Sequence, residues 1–189
     1  PSVLSSLFQS YPPRFAREPR VCVLFWCRCS CIVLETEAYL TLGDEACHTF
    51  KRPSARAFVE RNAPGAAYIY FNYGMHWMLN VLVKGGARSG LILIRAMEPR
   101  RGLTIMQMRR GTSDLRRFCS GPGKLTQALG ITSRHHEIDL CAGTRGFTPR
   151  ENASIKVVAG PRIGISLAQD FPWRFTLRDS PFVSRAVKE

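Results

Sequence analysis

Glu35-Thr36-Glu37-Ala38-Tyr39 holds two carboxylates and a phenol at alternate positions. On an extended segment all three face one way. Two carboxylates on one strand face repel unless they are solvated or paired with cations. Two readings follow: an exposed charged strand face, or a general base presented from a rigid element beside an aromatic. A cation is available in Leu91-Ile92-Leu93-Ile94-Arg95, which reads as a buried strand ending in an arginine. Burying arginine without a partner is costly, and Glu35 and Glu37 are its natural partners. His48, alone in Gly43-Asp44-Glu45-Ala46-Cys47-His48, reads by itself as a structural histidine, with Asp44 placed to cap a short helix.

A second chemical signal runs from Ala67 to Asn80: AYIYFNYGMHWMLN. Aromatic and β-branched residues on both arms predict two strands around a tight turn, with Gly74 supplying a positive φ. Tyr68 and Tyr70 share one face, Ile69 and Phe71 the other. Tyr73 is left at the tip, where water alone would favour Asn or Asp. Either the hairpin is an aromatic core element or its tip is a wedge for a nucleic-acid minor groove.

Charge supports a polyanionic partner. Of 27 basic residues 22 are arginines, against 14 acidic residues, for a net charge of +13 and a pI near 10.1. Arginine suits bidentate phosphate contact, although a GC-rich genome also raises arginine content. No apolar run approaches the ~18 residues of a membrane span, and no signal-peptide pattern stands out. Of seven cysteines, four lie at Cys22, Cys27, Cys29 and Cys31. The last three alternate along one extended segment, too close to pair comfortably and without zinc-site spacing. Reduced thiols are the expectation.

The elements that must position these residues are short. Pro1 to Arg20 reads as a poorly ordered lead-in or a short helix over Val3 to Phe8, and Val21 to Val33 as one strand. Lys84 to Gly90 reads as a flexible loop without a nucleotide-cradle motif. A helix over Gly102 to Arg110 turns Leu103, Met106 and Met108 inward. Cys119 to Gly130 reads as a loop feeding a helix that stops at Gly130. Its start, with Lys124, is a candidate phosphate site or an ordinary basic face. Pro99 to Arg134 carries eight basic residues against Asp114. His135 to Asn152 reads as irregular, Ile155–Gly160 and Ile163–Ile165 as short strands, and Phe175–Arg178 as the last strand. No repeat or linker divides the chain. The expected fold class is α+β: one compact domain with a mainly antiparallel curved sheet, surrounding helices and a protruding aromatic hairpin.

The blocks ETEAY at 35–39, DEACH at 44–48, YIY at 68–70, YGMHW at 73–77 with Asn80, LIRAMEP at 93–99, CSGPGKL at 119–125 and PRIGI at 161–165 occur in one order. Together they resemble the alkyladenine (3-methyladenine, methylpurine) DNA glycosylase family of base-excision repair. The resemblance runs from about Ile32 to Val183. It leaves residues 1–31 as a divergent segment and 32–189 as the glycosylase domain of a single-domain chain.

The resemblance implies a role for each matching residue. Glu37 is the general base, with Arg95 and the Ile163 carbonyl helping to hold its water. Tyr39, His48 and Tyr70 line the pocket and sandwich a flipped base. Asn80 crowds the 2-amino group of guanine. Tyr73 fills the gap left by the nucleotide, with Met75 beside it, and Lys124, Arg162 and Ser120 meet the DNA backbone. The activity implied is monofunctional: damaged purines (3-methyladenine, 7-methylguanine, hypoxanthine, ethenoadenine) are flipped from duplex DNA and cut free by water. No cofactor or metal enters. The partner is double-stranded DNA with damaged purines, the protein a monomer, and no membrane is involved. Its place is intracellular: cytoplasm or nucleoid in a bacterium, the nucleus in a eukaryote. None of the five lysines falls in the pocket cluster, so no Schiff base is expected. A non-catalytic nucleic-acid binder, or an RNA-associated protein of the translation machinery, would not need Glu37, Arg95 and Asn80 to converge.

Overall fold

The strand carrying both glutamates, Cys29–Leu40, is buried along almost its whole length. A strand hidden on both faces needs partners on both edges and cover above and below. In a computed structural model describing residues 8–17, 22–85, 88–149 and 156–186, it has both. Taken in chain order, the elements are α1 (Pro12–Arg17), β1 (Cys22–Trp26), β2 (Cys29–Leu40), α2 (His48–Lys51), α3 (Pro53–Arg61), β3 (Ala67–Asn72), β4 (His76–Gly85) and β5 (Arg88–Arg101). After these come α4 (Leu103–Arg110), α5 (Pro122–Leu129), β6 (Arg145–Pro149), β7 (Val157–Gly160) and β8 (Arg174–Leu177). All ladders are antiparallel, in the order β3-β4-β5-β2-β1-β6. β2 pairs with β5 along one edge; its other edge is shared by β1, over Cys29–Ile32, and β8, over Glu35–Glu37. Register shifts at Val33/Glu35 and Glu35/Thr36 mark where β2 passes from one neighbour to the other. Such irregularities bend a strand and increase its twist, which curls the sheet. This is the α+β single domain expected.

One row of paired residues crosses five strands: Tyr68, Asn80, Leu93, Glu37 and Arg174. Residues directly opposite one another project to the same face. Positions far apart in sequence are thus set side by side by register alone.

Several local expectations change. Cys22–Leu40 is a hairpin rather than one strand, because Cys27 and Arg28 turn the chain, Cys27 with φ 55°. Cys29 and Cys31 are buried and Cys27 is exposed; all seven cysteines are free. The Val3–Phe8 helix falls largely on residues outside those described. Phe8 itself is buried against Phe15 and Phe147. The Lys84–Gly90 stretch continues the β4–β5 ladder to Gly85↔Arg88, with Gly86 and Ala87 outside the described residues. In α4 only Met106 is buried; Leu103 and Met108 face water. Arg145–Pro149 forms a strand on β1 where no regular structure was expected. Ile163–Ile165 is loop, not strand. No helix among the described residues is long and apolar enough to cross a membrane.

Candidate active site

The β3–β4 hairpin and β2 enclose a cavity of about 320 Å³, inside the usual small-molecule range. Tyr39, His48, Tyr70, Asn80, Arg95 and Ile163 all line it. Tyr68 and Tyr73 line it too, although no role for Tyr68 was expected.

Glu37 stands one layer behind this wall, without accessible surface. Its Oε1 accepts from the Ile163 N–H at 2.7 Å. Its Oε2 accepts from the Tyr39 hydroxyl at 2.8 Å and from Arg95 Nη1 at 3.3 Å. A carboxylate offers about four lone-pair positions; three are taken. Burial pushes the Glu37 carboxyl above the ordinary range, while Arg95, the Ile163 N–H and the Tyr39 hydroxyl pull it back. Burial, with the Glu37 charge adding to it, pushes the Tyr39 phenol well up, so it stays a donor. Ile163 therefore reaches Glu37 through its N–H; the carbonyl that the resemblance implies for holding the water is a separate group of the same residue.

Arg95 bridges both glutamates. Its Nε donates to Glu35 Oε1 at 3.0 Å while Nη1 serves Glu37. Burial alone would favour its neutral form, but Glu37 and Glu35 outweigh this and hold it charged. Glu35 is enclosed differently: it also accepts from Arg174 Nη1 at 3.1 Å, from the Ser184 N–H at 2.7 Å and from the Ser184 hydroxyl at 2.7 Å. Arg174 and Ser184 carried no signal in the sequence, since β8 and the segment after it reach β2 only through the fold.

The aromatic lining is packed edge to face. His48 meets Tyr70 at 4.2 Å between ring centroids, and its Nδ1 lies 3.1 Å from the Tyr68 hydroxyl. Burial, helped by Arg52, lowers the His48 pKa to about 4, so the ring is neutral near pH 7. Asn80 faces Tyr68 in the ladder, not Tyr70, which pairs with Met78. Its Nδ2 donates to the Tyr68 carbonyl at 3.2 Å, fixing the amide at the cavity wall.

The hairpin tip contrasts with its base. Tyr73 and Met75 are 75% and 68% exposed. Tyr73 and Gly74 have φ values of 50° and 63°, the pattern of a type I′ turn. For a tyrosine this is unusual and costs about 1–2 kcal/mol. Strain of this kind gathers at functional sites. The hairpin is braced from behind by α5. A Cβ on Gly123 would lie 2.6 Å from His76 Cγ, and the Thr126 hydroxyl donates to the Trp77 carbonyl at 2.8 Å. At the start of α5, Lys124 Nζ lies 3.5 Å from the Ser120 hydroxyl, and Pro122 lines the cavity.

Two expectations fail here. Arg162 does not meet a DNA backbone: its side chain has no accessible surface and is held by Asp44 at 2.6 Å. Asp44 in turn does not cap α2, whose preceding residue is Cys47. Burial in an arginine-rich chain is what residue type alone could not foretell.

Arg95 and Asn80 line one cavity beside an exposed aromatic tip, and Glu37 is bonded to Arg95 directly behind its wall, an arrangement that a simple binder would not need. Residues 18–181 match the family description Methylpurine-DNA glycosylase (MPG), so the match begins before the divergent segment ends. A relative from Rhodopseudomonas palustris (strain BisB18) is 46% identical over 158 residues, 84% of this chain and 78% of its own. One from Nitrosospira multiformis is 46% identical over 157 residues, 83% of this chain and 80% of its own. One from Chlorobaculum tepidum is 42% identical over 154 residues, 81% of this chain and 74% of its own. All three are provisionally named 3-methyladenine DNA glycosylases. With a match of this extent, the chain belongs to the methylpurine-DNA glycosylase family.

Proposed function

We propose that this DNA glycosylase extrudes a damaged purine from duplex DNA into the cavity between Tyr39 and Tyr70 and hydrolyses its N-glycosidic bond with Glu37 as general base. The substrate class is 3-methyladenine, 7-methylguanine, hypoxanthine and ethenoadenine, and the enzyme acts as a monomer. Flipping costs roughly a few kcal/mol, least for damaged or mispaired bases. Stacking on aromatic faces recovers about 1–3 kcal/mol per base. Tyr73, with Met75, occupies the vacated gap. Water adds to the anomeric carbon as the bond to the base breaks. The bonding pair leaves with the base, and the water's proton passes to Glu37. Charge building on the sugar is stabilised by the same carboxylate. Lys124 and Ser120 hold a backbone phosphate. The neutral His48 and the amide of Asn80 complete the pocket, and Asn80 excludes the 2-amino group of guanine.

The observation that supports this reading best is the hydrogen bonding of Glu37. Three donors pin the carboxylate behind the cavity wall and leave one lone-pair direction for water. The test is release of free hypoxanthine from a duplex holding one such base. Base release should fall as pH drops through the raised Glu37 pKa, since protonation removes the base. His48, with a pKa of about 4, should add no limb near neutrality. Hypoxanthine still fully attached to the duplex after prolonged incubation, with the protein folded and bound to it, would refute the assignment.

A further inference from the structure

The loop after β7 carries a buried ion pair that this chemistry does not use. Asp44 and Arg162 both have side chains without accessible surface. Arg162 Nη1 donates to Asp44 Oδ2 at 2.6 Å and to the Ala38 carbonyl at 3.0 Å. Its Nη2 donates to Asp44 Oδ1 at 2.9 Å and to the Ala168 carbonyl at 2.8 Å. Asp44 also accepts from the Leu40 and Ala46 N–H groups at 3.0 and 3.1 Å. One guanidinium therefore ties together the end of β2, the turn that follows it and the 161–168 loop.

Both ends of this tie lead to Glu37. The residue after Arg162 is Ile163, whose N–H holds Glu37 Oε1. The Arg162 guanidinium carbon also lies 4.6 Å from the centroid of the Tyr39 ring, whose hydroxyl holds Oε2. A cation over a desolvated ring is attracted to its face, so Arg162 backs Tyr39. The fork-to-carboxylate geometry adds orientation as well as energy. Buried ion pairs contribute little to stability compared with apolar replacements. Stability alone is a weak account of this one.

We propose that the Asp44–Arg162 pair is a positioning device for the general base, fixing the Ile163 N–H and the Tyr39 hydroxyl on Glu37 so that one lone pair stays open to water. This rests on the reading of Glu37 as that base. The charged or titratable groups facing Glu37 are Glu35 and Tyr39 on β2, Arg95 on β5, Tyr70 on β3 and Arg174 at its register position on β8. Arg162 itself acts from behind Tyr39. Loosening the pair changes only the two donors it holds. Both favour the charged carboxylate, so their loss raises the Glu37 pKa further.

The experiment is single-turnover hypoxanthine release across the acid and neutral range, for wild type, Arg162→Lys and the double variant Asp44→Asn/Arg162→Met. Thermal melting and duplex affinity are measured alongside. The double variant removes both charges together, and the asparagine amide oxygen still accepts from one of the Leu40 and Ala46 N–H groups, which bond different oxygens of Asp44. The maximal rate should fall about 10²-fold, the scale of a small misplacement of a reacting group. The acid limb should move to higher pH, while duplex affinity stays within a few-fold. Arg162→Lys should move the limb in the same direction by less. A folded variant whose limb does not move, whatever its rate, overturns the proposal; if the double variant does not fold, the Arg162→Lys limb decides in the same way. Glu37→Gln serves as the control. Wild-type speed in that variant overturns the general-base reading and this proposal together. An inactive Glu37→Gln with an unmoved Arg162 limb overturns the positioning role alone.

Discussion

Glu35 and Glu37 lie two residues apart on one strand and share one guanidinium, yet their surroundings differ in kind. Glu35 accepts four hydrogen bonds, from Arg95, Arg174 and both donors of Ser184. Three of them converge on Oε1 and one on Oε2, and Arg174 and Ser184 hold Glu35 away from the cavity. Glu37 accepts three and sits against residues that line the cavity. Residue type and spacing are the same for both. Both pair with β5 on one edge and β8 on the other; the difference lies in what packs against each carboxylate, Arg174 and Ser184 on Glu35 and the 161–168 loop, through the Ile163 N–H, on Glu37. A buried acid becomes a candidate catalyst when all the groups that hold it also line a cavity, as Tyr39, Arg95 and Ile163 do around Glu37.

The largest expected effect breaks this comparison directly. Glu37→Gln should lower single-turnover base release by about 10²–10⁴-fold while leaving duplex binding and melting near wild type. Glu35→Gln should do the reverse: it uncouples two buried arginines and destabilises by about 3–5 kcal/mol, read as a lowered melting temperature. If Glu35→Gln melts normally and loses activity, the roles are exchanged.

The two ends of the hairpin offer a second comparison, buried base against exposed tip. At the base, Asn80→Ser should relax the rejection of guanine by about 1–3 kcal/mol, the scale set by a clash and unpaired polar groups. The measurement is the ratio of hypoxanthine to guanine release rates in otherwise identical duplexes. An unchanged ratio in a variant that still excises hypoxanthine removes Asn80 as the filter. At the tip, Tyr73→Ala should weaken capture of the flipped nucleotide by about 1–3 kcal/mol, comparable to one lost stacking contact. A fluorescent reporter base reads this, and unchanged flipping makes Tyr73 merely structural.

The smallest effect belongs to the basic surface. Binding should weaken steeply with salt, with a log–log slope of about −4 to −5 for ~5 phosphate contacts. Lys124→Ala should reduce that slope by about 0.9, one contact. An unaltered slope would place the start of α5 away from DNA.

Much of this site could be read from the chain. The alternation of Glu35, Glu37 and Tyr39, the arginine closing an apolar run and the aromatic arms of the hairpin each carry a local signal. The pairing of Arg95 with both glutamates followed from the cost of burying a charge alone, and the structure places these groups together. The turn at Cys27 was missed because Cys27-Arg28 carries none of the Gly, Pro, Asn or Asp residues that mark a tight turn. The β6 strand was missed because Arg145-Gly146-Phe147-Thr148-Pro149 has little strand propensity; its pairing with β1 supplies the stability.

The sequence by itself determined the residue types, the hairpin and its tip, the basic balance and the ordered blocks of the family. These depend on contacts a few residues apart or on composition. The tertiary structure alone decided that Asn80 faces Tyr68 and lies in one row with Glu37, that Glu35 is enclosed by Arg174 and Ser184, and that Arg162 is buried against Asp44 instead of exposed to a phosphate. The first depends on ladder register, the other two on contacts closed across more than a hundred residues. Register shifted by one residue turns every side chain of a strand to its other face, and no single segment of the chain encodes which register its partner will take.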